Sequence, residues 1–366
     1  MRESIELEPV VDRFETEGHY IEAVPHGSGH INETYLVRQQ HGHDEVRYIL
    51  QLINQYVFKK PEQICANLRL ILPHKRERLA REPDLYTREI LECLPAVDGL
   101  DYVIDDKGNF WRLTHFVENA STYDIIQNPE QAYQAARGFG EFQYLLHDFS
   151  PEPLHEIIPD FHYTPKRVEA LERAIEGDEY NRAGKARAAI AFAAQHKSIS
   201  AKVVDGLADG SLPLRTTHND TKLNNVMLDD QNGEPVCVID LDTVMPGSSL
   251  YDFGDMMRTA TCFAAEDELD LDKINVEMDV FNAISRGYLS IARNFLTPGE
   301  IELLAFSGQL ITYEIGIRFL TDHLNGDHYF KIHREGHNLD RACAQFKLVE
   351  CFMQHQDALQ RVVNQS

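Results

Sequence analysis

The chain has 366 residues, 43% hydrophobic and 26% charged, which is enough apolar material for one large or two medium domains with a proper core. It holds 35 Lys and Arg against 59 Asp and Glu, a formal net charge of -24. An excess of carboxylate on that scale argues against nucleic acid or an anionic membrane surface as a partner, and six cysteines without a C-x-x-C pair argue against a disulfide scaffold.

The opening stretch, Met1 to Gly18, is acidic and has no apolar signal core. Strands are expected at Tyr20 to Val24 and Thr34 to Val37, flanking the glycine-rich turn Pro25-His-Gly-Ser-Gly-His30, and again near Val46 to Ile53. Pro61 opens a helix to about Leu72. Further strands are expected at Glu89 to Leu94, Tyr102 to Ile104 and Phe110 to Val117. After Glu118 the pattern turns helical. Between Pro129 and Asp148, Tyr133, Ala136, Phe139, Phe142 and Leu146 recur at three-to-four spacing. Helices follow at Pro165 to Glu176 and Asn181 to Leu207, then a β-rich block from Leu214 to Asp242. Four more helices complete the chain, at Asp252 to Phe263, Lys273 to Asn294, Pro298 to Leu324 and Asn338 to Val363. The longest apolar run, Ala188 to Ala194, is far too short to span a bilayer. The thiols read as reduced, in a cytoplasmic protein.

The expected fold class is α+β with two lobes: a small β-rich lobe, residues 1–117, and a larger helical lobe, residues 118–366. The cleft between them is the default ligand site.

The chemistry concentrates in Thr217-His-Asn-Asp-Thr-Lys-Leu-Asn-Asn225 and Val238-Ile-Asp-Leu-Asp242. Val226 to Leu228 and Val236 to Ile239 are apolar and β-prone, and Asp229-Asp-Gln-Asn-Gly233 between them is a turn. A hairpin centred near Asn232 places Asn225 almost opposite Asp240, with Asp220 close by. Oxygen donors of this kind suit Mg²⁺, which completes its shell with water and phosphate. The set supports phosphoryl transfer: Asp220 orients a hydroxyl and accepts its proton, Asn225 and Asp240 hold the metal, and Lys222 faces the developing charge. The plainer alternative is a charged loop followed by an ordinary hairpin.

This block, H-x-D-x(4)-N followed by I-D, resembles the protein-kinase-like phosphotransferases that include aminoglycoside phosphotransferases and choline kinases. Gly27 to Tyr35, Tyr48 to Gln51, Thr217 to Asn225, Ile239 to Gly247, Glu314 to Leu320 and Asn325 to Phe330 bring it nearer to the N-acetylhexosamine 1-kinases within that family. The resemblance implies a two-lobed kinase-like fold and ATP and Mg²⁺ as co-substrate and cofactor. It also implies phosphorylation of a sugar's anomeric hydroxyl, with Asp252 bracing the catalytic loop. Gly27, Ser28 and Gly29 would cover phosphates, though a plain hairpin turn reads equally well and Asn32 stands where a third glycine is usual. Gln51 occupies the strand position that usually holds a phosphate-pairing lysine, with no acidic partner evident in the helix after Pro61. His30, Asp242, Arg318 and Tyr329 are assigned to the acceptor side. Taken on spacing alone, Glu314, Arg318 and Asp322 read instead as a surface salt-bridge ladder. A kinase of another small alcohol is the alternative enzyme, and a non-catalytic pseudokinase, suggested by Gln51, the alternative class.

Overall fold

A computed structural model describes residues 6–27, 31–82 and 84–366. Ser28, Gly29 and His30 lie outside the described residues. The elements in chain order are α1 (Glu8–Val11), β1 (His19–Pro25), β2 (Glu33–His41), β3 (Asp44–Leu52), α2 (Glu62–Leu79), β4 (Val103–Ile104), β5 (Phe110–His115) and β6 (Ala120–Ser121). They continue with α3 (Pro129–Leu146), α4 (Thr164–Gly177), α5 (Arg187–Gln195), α6 (Lys202–Asp209), β7 (Arg215–Thr217), β8 (Val226–Asp229), β9 (Pro235–Val238) and β10 (Met245–Gly247). The last four are α7 (Ser249–Ala260), α8 (Met278–Ala292), α9 (Pro298–Leu324) and α10 (His337–Gln365). The class is α+β, with a small antiparallel sheet lobe and a larger helical lobe.

The first sheet has the order β1-β2-β3-β5-β4, antiparallel throughout. Alternation along its strands turns Val37, Tyr48, Leu50, Trp111 and Leu113 into a small buried cluster that also holds Val11 and Phe14. Trp111 is fully buried, and its indole Nε1 donates to Asp105 Oδ2 at 2.9 Å. The second cluster is much larger and fills the space among α3, α7, α8, α9 and α10. Helix α2 precedes residue 117 in the chain, yet Ile64, Leu68, Ile71 and Leu72 pack into this larger cluster. Its Asn67 amide donates to His155 O and Val244 O, both at 2.9 Å, so the helix is fastened to the helical lobe.

The segment Glu89 to Leu94 is not a strand. Arg88 N and Glu89 N both donate to Val236 O, while Leu94 N donates to Leu113 O, so it crosses from one sheet to the other without a long partner on either. The helix from Pro61 continues through Pro73 to Leu79. The single helix expected at Asn181 to Leu207 is two, α5 and α6, joined by a 3₁₀ turn at Lys197–Ala201. Among the described residues no helix is long and apolar enough to cross a membrane, and all six cysteines are free.

Candidate functional site

Two short ladders carry the 217–242 region. β7 pairs with β10, and β8 pairs with β9 between them in sequence. Val226 lies opposite Val238, and Ile239 N donates to Asn225 O at 2.9 Å. Asn225 therefore faces Ile239, one residue short of Asp240. Asn219 and Asp240 both adopt the left-handed conformation, φ 65° and 57°, which Asn and Asp tolerate better than other side chains. A glycine is required at Gly247, because a Cβ there would collide with Thr217 Oγ1 and Asn219 Oδ1.

The loop between β7 and β8 is held from beneath by Asp252, at the start of α7 and fully buried. Its Oδ2 accepts from His218 N at 3.0 Å and its Oδ1 from Asn219 N at 2.7 Å. Gln143 Nε2 adds a donor to Oδ2 at 2.5 Å, and Thr221 Oγ1 donates to the Asp252 carbonyl at 2.5 Å. Burial pushes the Asp252 carboxyl up, and these donors pull the other way. His218, packed edge-on against Phe139 and Phe142, ties the loop to Ile239 O at 2.9 Å through Nε2.

Held in this way, Asp220 pairs with Lys222 Nζ at 3.0 Å. Burial opposes ionisation of Asp220, but Lys222 outweighs it and holds the carboxyl below its ordinary value. Asn225 Nδ2 donates to Asp220 O at 2.9 Å and lies 3.4 Å from Oδ2, which turns its Oδ1 the opposite way. Asp240 opens to solvent on one side and is crowded by protein on the others. That crowding, and then the charges of Asp242 and Asp220, raise its carboxyl from 3.8 to about 6, with His218 and Arg112 opposing.

A carboxylate and an amide oxygen at one end of the hairpin suit a hard divalent cation. Among the described residues no group of three or more His, Cys, Asp or Glu forms a cage. Mg²⁺ keeps waters and takes one or two protein oxygens, so two such donors are enough to hold it.

Asp240→Asn tests the crowding. An acid with a raised folded value destabilises the fold wherever it is ionised, above about 6, and the penalty shrinks as pH falls toward its ordinary value of 3.8. Solvent access screens the penalty to about 1 kcal/mol. The metal-free variant is expected to melt about 1–3 °C higher than the unaltered protein near pH 7.5, with the gain fading toward about pH 4.5. A thermal melt series showing no gain at any pH would remove the crowding from this account.

Asp242 is not on an open surface. It is 2% exposed, accepts from Asn32 Nδ2 at 2.7 Å and pairs with the Arg112 guanidinium. Gln51 is the cross-strand partner of Arg112, and its Oε1 accepts from Arg112 Nε at 2.9 Å and Nη2 at 2.8 Å. Gly27 sits in the turn after β1 with φ +77°, where a side chain would be strained.

Arg318 and Tyr329 form a separate group. The Arg318 guanidinium lies 5.9 Å from the rings of Phe161 and Tyr329 and 5.6 Å from Phe330. The ladder expected from spacing is absent. Glu314 is fully buried against His162 Nδ1 at 2.9 Å and Thr164 Oγ1 at 2.6 Å. Asp322 accepts backbone N–H groups from His328, Tyr329 and Phe330, which fixes Tyr329. His162 Nε2 reaches Asn219 O at 3.1 Å, so His162 and Glu314 connect the aromatic group to the loop that holds Asp220. Burial disfavours the His162 charge, but the Glu314 carboxylate more than offsets it and raises its proton affinity.

Beside Lys222, a pocket of about 500 Å³ is lined by Tyr123, Ile126, Asn224, Arg258 and Phe263 among others. Arg258 is paired with Asp255 Oδ1, at 3.0 Å from Nε and 2.8 Å from Nη2.

Arg112, His162 and the Asp255–Arg258 pair were not singled out from sequence, and Asn32 was noted there only as a missing glycine. Arg112 had a usable signal: two strand positions facing each other, one carrying Gln where charge was missed. His162 had none, since nothing local links it to Asn219.

Several solved structures share this architecture. An aminoglycoside phosphotransferase from Alicyclobacillus acidocaldarius superposes with a TM-score of 0.64 at 12% identity, over 100% of this chain and 98% of that one. A microcompartment-associated aminopropanol kinase gives 0.57 at 15%, over 96% of each chain. Plasmodium vivax ethanolamine kinase gives 0.53 at 15%, over 88% of this chain and 81% of that one. At such identities the likeness is one of fold, the two-lobed kinase-like fold. Residues 22–277 match the phosphotransferase enzyme family, and with most of its length so covered the chain belongs to that family.

Proposed function

We propose that this protein is an ATP- and Mg²⁺-dependent kinase that phosphorylates the anomeric 1-hydroxyl of an N-acetylhexosamine, GlcNAc or GalNAc, giving the sugar 1-phosphate and ADP. The observation that carries the reaction class is Asp220 and Asn225, joined by a hydrogen bond on a loop braced by the buried Asp252, with Asp240 just after β9 close enough to feel the Asp220 charge. The sugar rests on the sequence resemblance, supported by the group of Arg318, Phe161, Tyr329 and Phe330. Aromatic faces beside a guanidinium offer apolar surface and fixed donors together, which suits a pyranose ring with its hydroxyls and acetamido oxygen.

In this mechanism residues 1–117 supply the nucleotide lobe, with Gly27, Ser28, Gly29 and Gln51 beside the phosphates. Residues 118–366 supply the catalytic loop and acceptor site. Asp220 accepts a hydrogen bond from the acceptor hydroxyl, aligns its oxygen with the γ-phosphorus and takes its proton as the new P–O bond forms and the bond from the γ-phosphorus to the β–γ bridging oxygen breaks, releasing ADP. Lys222 sits where charge grows on the transferring group. Asn225 Oδ1 and the Asp240 carboxylate would hold Mg²⁺, which neutralises charge on the phosphates when bound. His30, Asp242, Arg318 and Tyr329 stand on the acceptor side. Asp242 would act there only if its pair with Arg112 opens.

A kinase for a cationic alcohol is the second reading. Asp255 favours it, because its buried Oδ2 has no hydrogen-bond partner. Arg318 and the neighbouring Arg167 disfavour it by repulsion.

The test is ADP release with GlcNAc, GalNAc, choline, homoserine and kanamycin, with and without Mg²⁺, followed by phosphorus NMR of the product. Turnover of an N-acetylhexosamine to a 1-phosphate, abolished by chelation, is expected. Phosphate on the 6-hydroxyl, or choline turned over in preference, would overturn the sugar 1-kinase. Nucleotide binding without turnover of any alcohol would favour the pseudokinase.

A further inference from the structure

A polyphosphate entering between the lobes meets Asp220, Asp240 and Asp242, so some cation must balance it locally. Lys222 is engaged by Asp220 on the acceptor side. On the sheet side, the candidate strand position, Gln51, is neutral. The charge lies next to it. Arg112 on β5 is the direct register partner of Gln51 on β3, is 4% exposed, and points its guanidinium at the Gln51 amide oxygen.

Three elements meet at that guanidinium. Gln51 takes one N–H from Nε and one from Nη2. Asp242, two residues beyond Asp240, pairs with Nη1. Asn32, in the turn leading into β2, donates to the other oxygen of Asp242. The ion contact at Nη1 is not a hydrogen bond, since Asp242 Oδ1 has no hydrogen-bond partner among the described residues, so one N–H of Nη2 and both of Nη1 make no hydrogen bond. Gln51 itself is fixed by donating to Thr34 Oγ1 at 3.3 Å. A buried ion pair seldom repays its own desolvation in stability, so folding energy alone is a poor reason to keep an arginine here. A planar fork with free donors, aimed and charge-balanced beforehand, is a good phosphate ligand.

We propose that Arg112 is the phosphate-binding cation of the nucleotide site, aimed by Gln51 and charge-balanced by Asp242, so that the charge sits on β5 instead of β3. This rests on the kinase reading above. It gives Gln51 a positioning role, makes Asn32 and Asp242 part of the nucleotide site, and removes the main reason for reading the chain as a pseudokinase.

Arg112→Gln alone would strand the Asp242 carboxylate, so the informative variant is Arg112→Gln with Asp242→Asn, in which neither charge is left unpaired. Calorimetric titration of MgATP, a thermal melt and steady-state kinetics are read together. The double variant is expected to keep a native melt, bind MgATP about 10- to 100-fold more weakly, and raise KM for ATP. A purely structural Arg112–Asp242 pair predicts instead that neutralising both groups leaves MgATP affinity as it was, and that result would overturn the proposal. The swap Gln51→Lys with Arg112→Gln keeps one cation beside Asp242 and decides the matter if the double variant does not fold. Recovered affinity supports a phosphate-binding charge at this place, whereas lost affinity in a natively folded swap variant opposes it. If the unaltered protein does not bind MgATP, the kinase reading falls and this proposal with it. If both it and the double variant bind alike, only this proposal falls.

Discussion

Asp220→Asn is expected to lower turnover by about 10²- to 10⁴-fold while MgATP still binds. The substitution preserves shape and leaves the backbone bracket of the loop untouched, since Asp252 holds His218 N and Asn219 N rather than the Asp220 side chain. What it removes is the proton acceptor. In the unaltered protein Lys222 holds the carboxyl below its ordinary value, so it is ionised throughout the neutral range and poised to accept. Lys222 would lose its partner and turn toward solvent, which reaches it at the cleft. Single-turnover rates with saturating MgATP and acceptor, alongside calorimetric MgATP binding, separate the two effects. A variant that turns over normally would remove Asp220 from its role, and one that no longer binds MgATP would recast it as part of the nucleotide site.

The second large effect concerns Asp252. Its carboxylate receives two backbone N–H groups of the loop and the Gln143 amide, and Gln143 in turn accepts from Tyr288 Oη at 2.5 Å. Asp252→Ala would leave those donors buried without an acceptor, at a cost of about 3–5 kcal/mol. The melting temperature is expected to fall by roughly 5–12 °C. Activity should fall further than stability explains, because Asp220 sits one residue beyond the freed N–H of Asn219. Asp252→Asn keeps the volume but replaces one accepting oxygen with a donor, and should lie between the two. The check compares kcat well below the melting temperature of each variant with its melt. An alanine variant that melts like the unaltered protein would show that the bracket is not what holds the loop.

Much of this could be read from the sequence because it is local. The H-x-D-x(4)-N loop, its hairpin and the acidic start of α7 lie within a short span whose turn chemistry sets the geometry, and the hairpin register came within one residue. The three-to-four pattern gave α3 for the same reason. What was not legible depends on distant partners. Glu89 to Leu94 has strand composition, but its hydrogen bonds are divided between two sheets. Glu314, Arg318 and Asp322 have ladder spacing, but His162, far away in sequence, buries the first of them, and the turn at His328–Phe330 consumes the last. Asn32, noted only as a missing glycine, uses its side chain to reach Asp242 across the cleft, which no glycine could do. Pattern alone also divides the chain at residue 117, whereas α2 packs across that line into the helical core.

The buried indole of Trp111 has a practical consequence. It is the chain's only tryptophan and sits beside Arg112 on β5, within the sheet lobe's own cluster. All indole emission therefore arises from one place in the smaller lobe, while the circular dichroism of the helices arises overwhelmingly from the larger one. Two optical signals from the unlabelled protein thus report on different lobes. Coincident melting curves would mean that the lobes unfold as one cooperative unit, and separated curves that the sheet lobe has an independent stability.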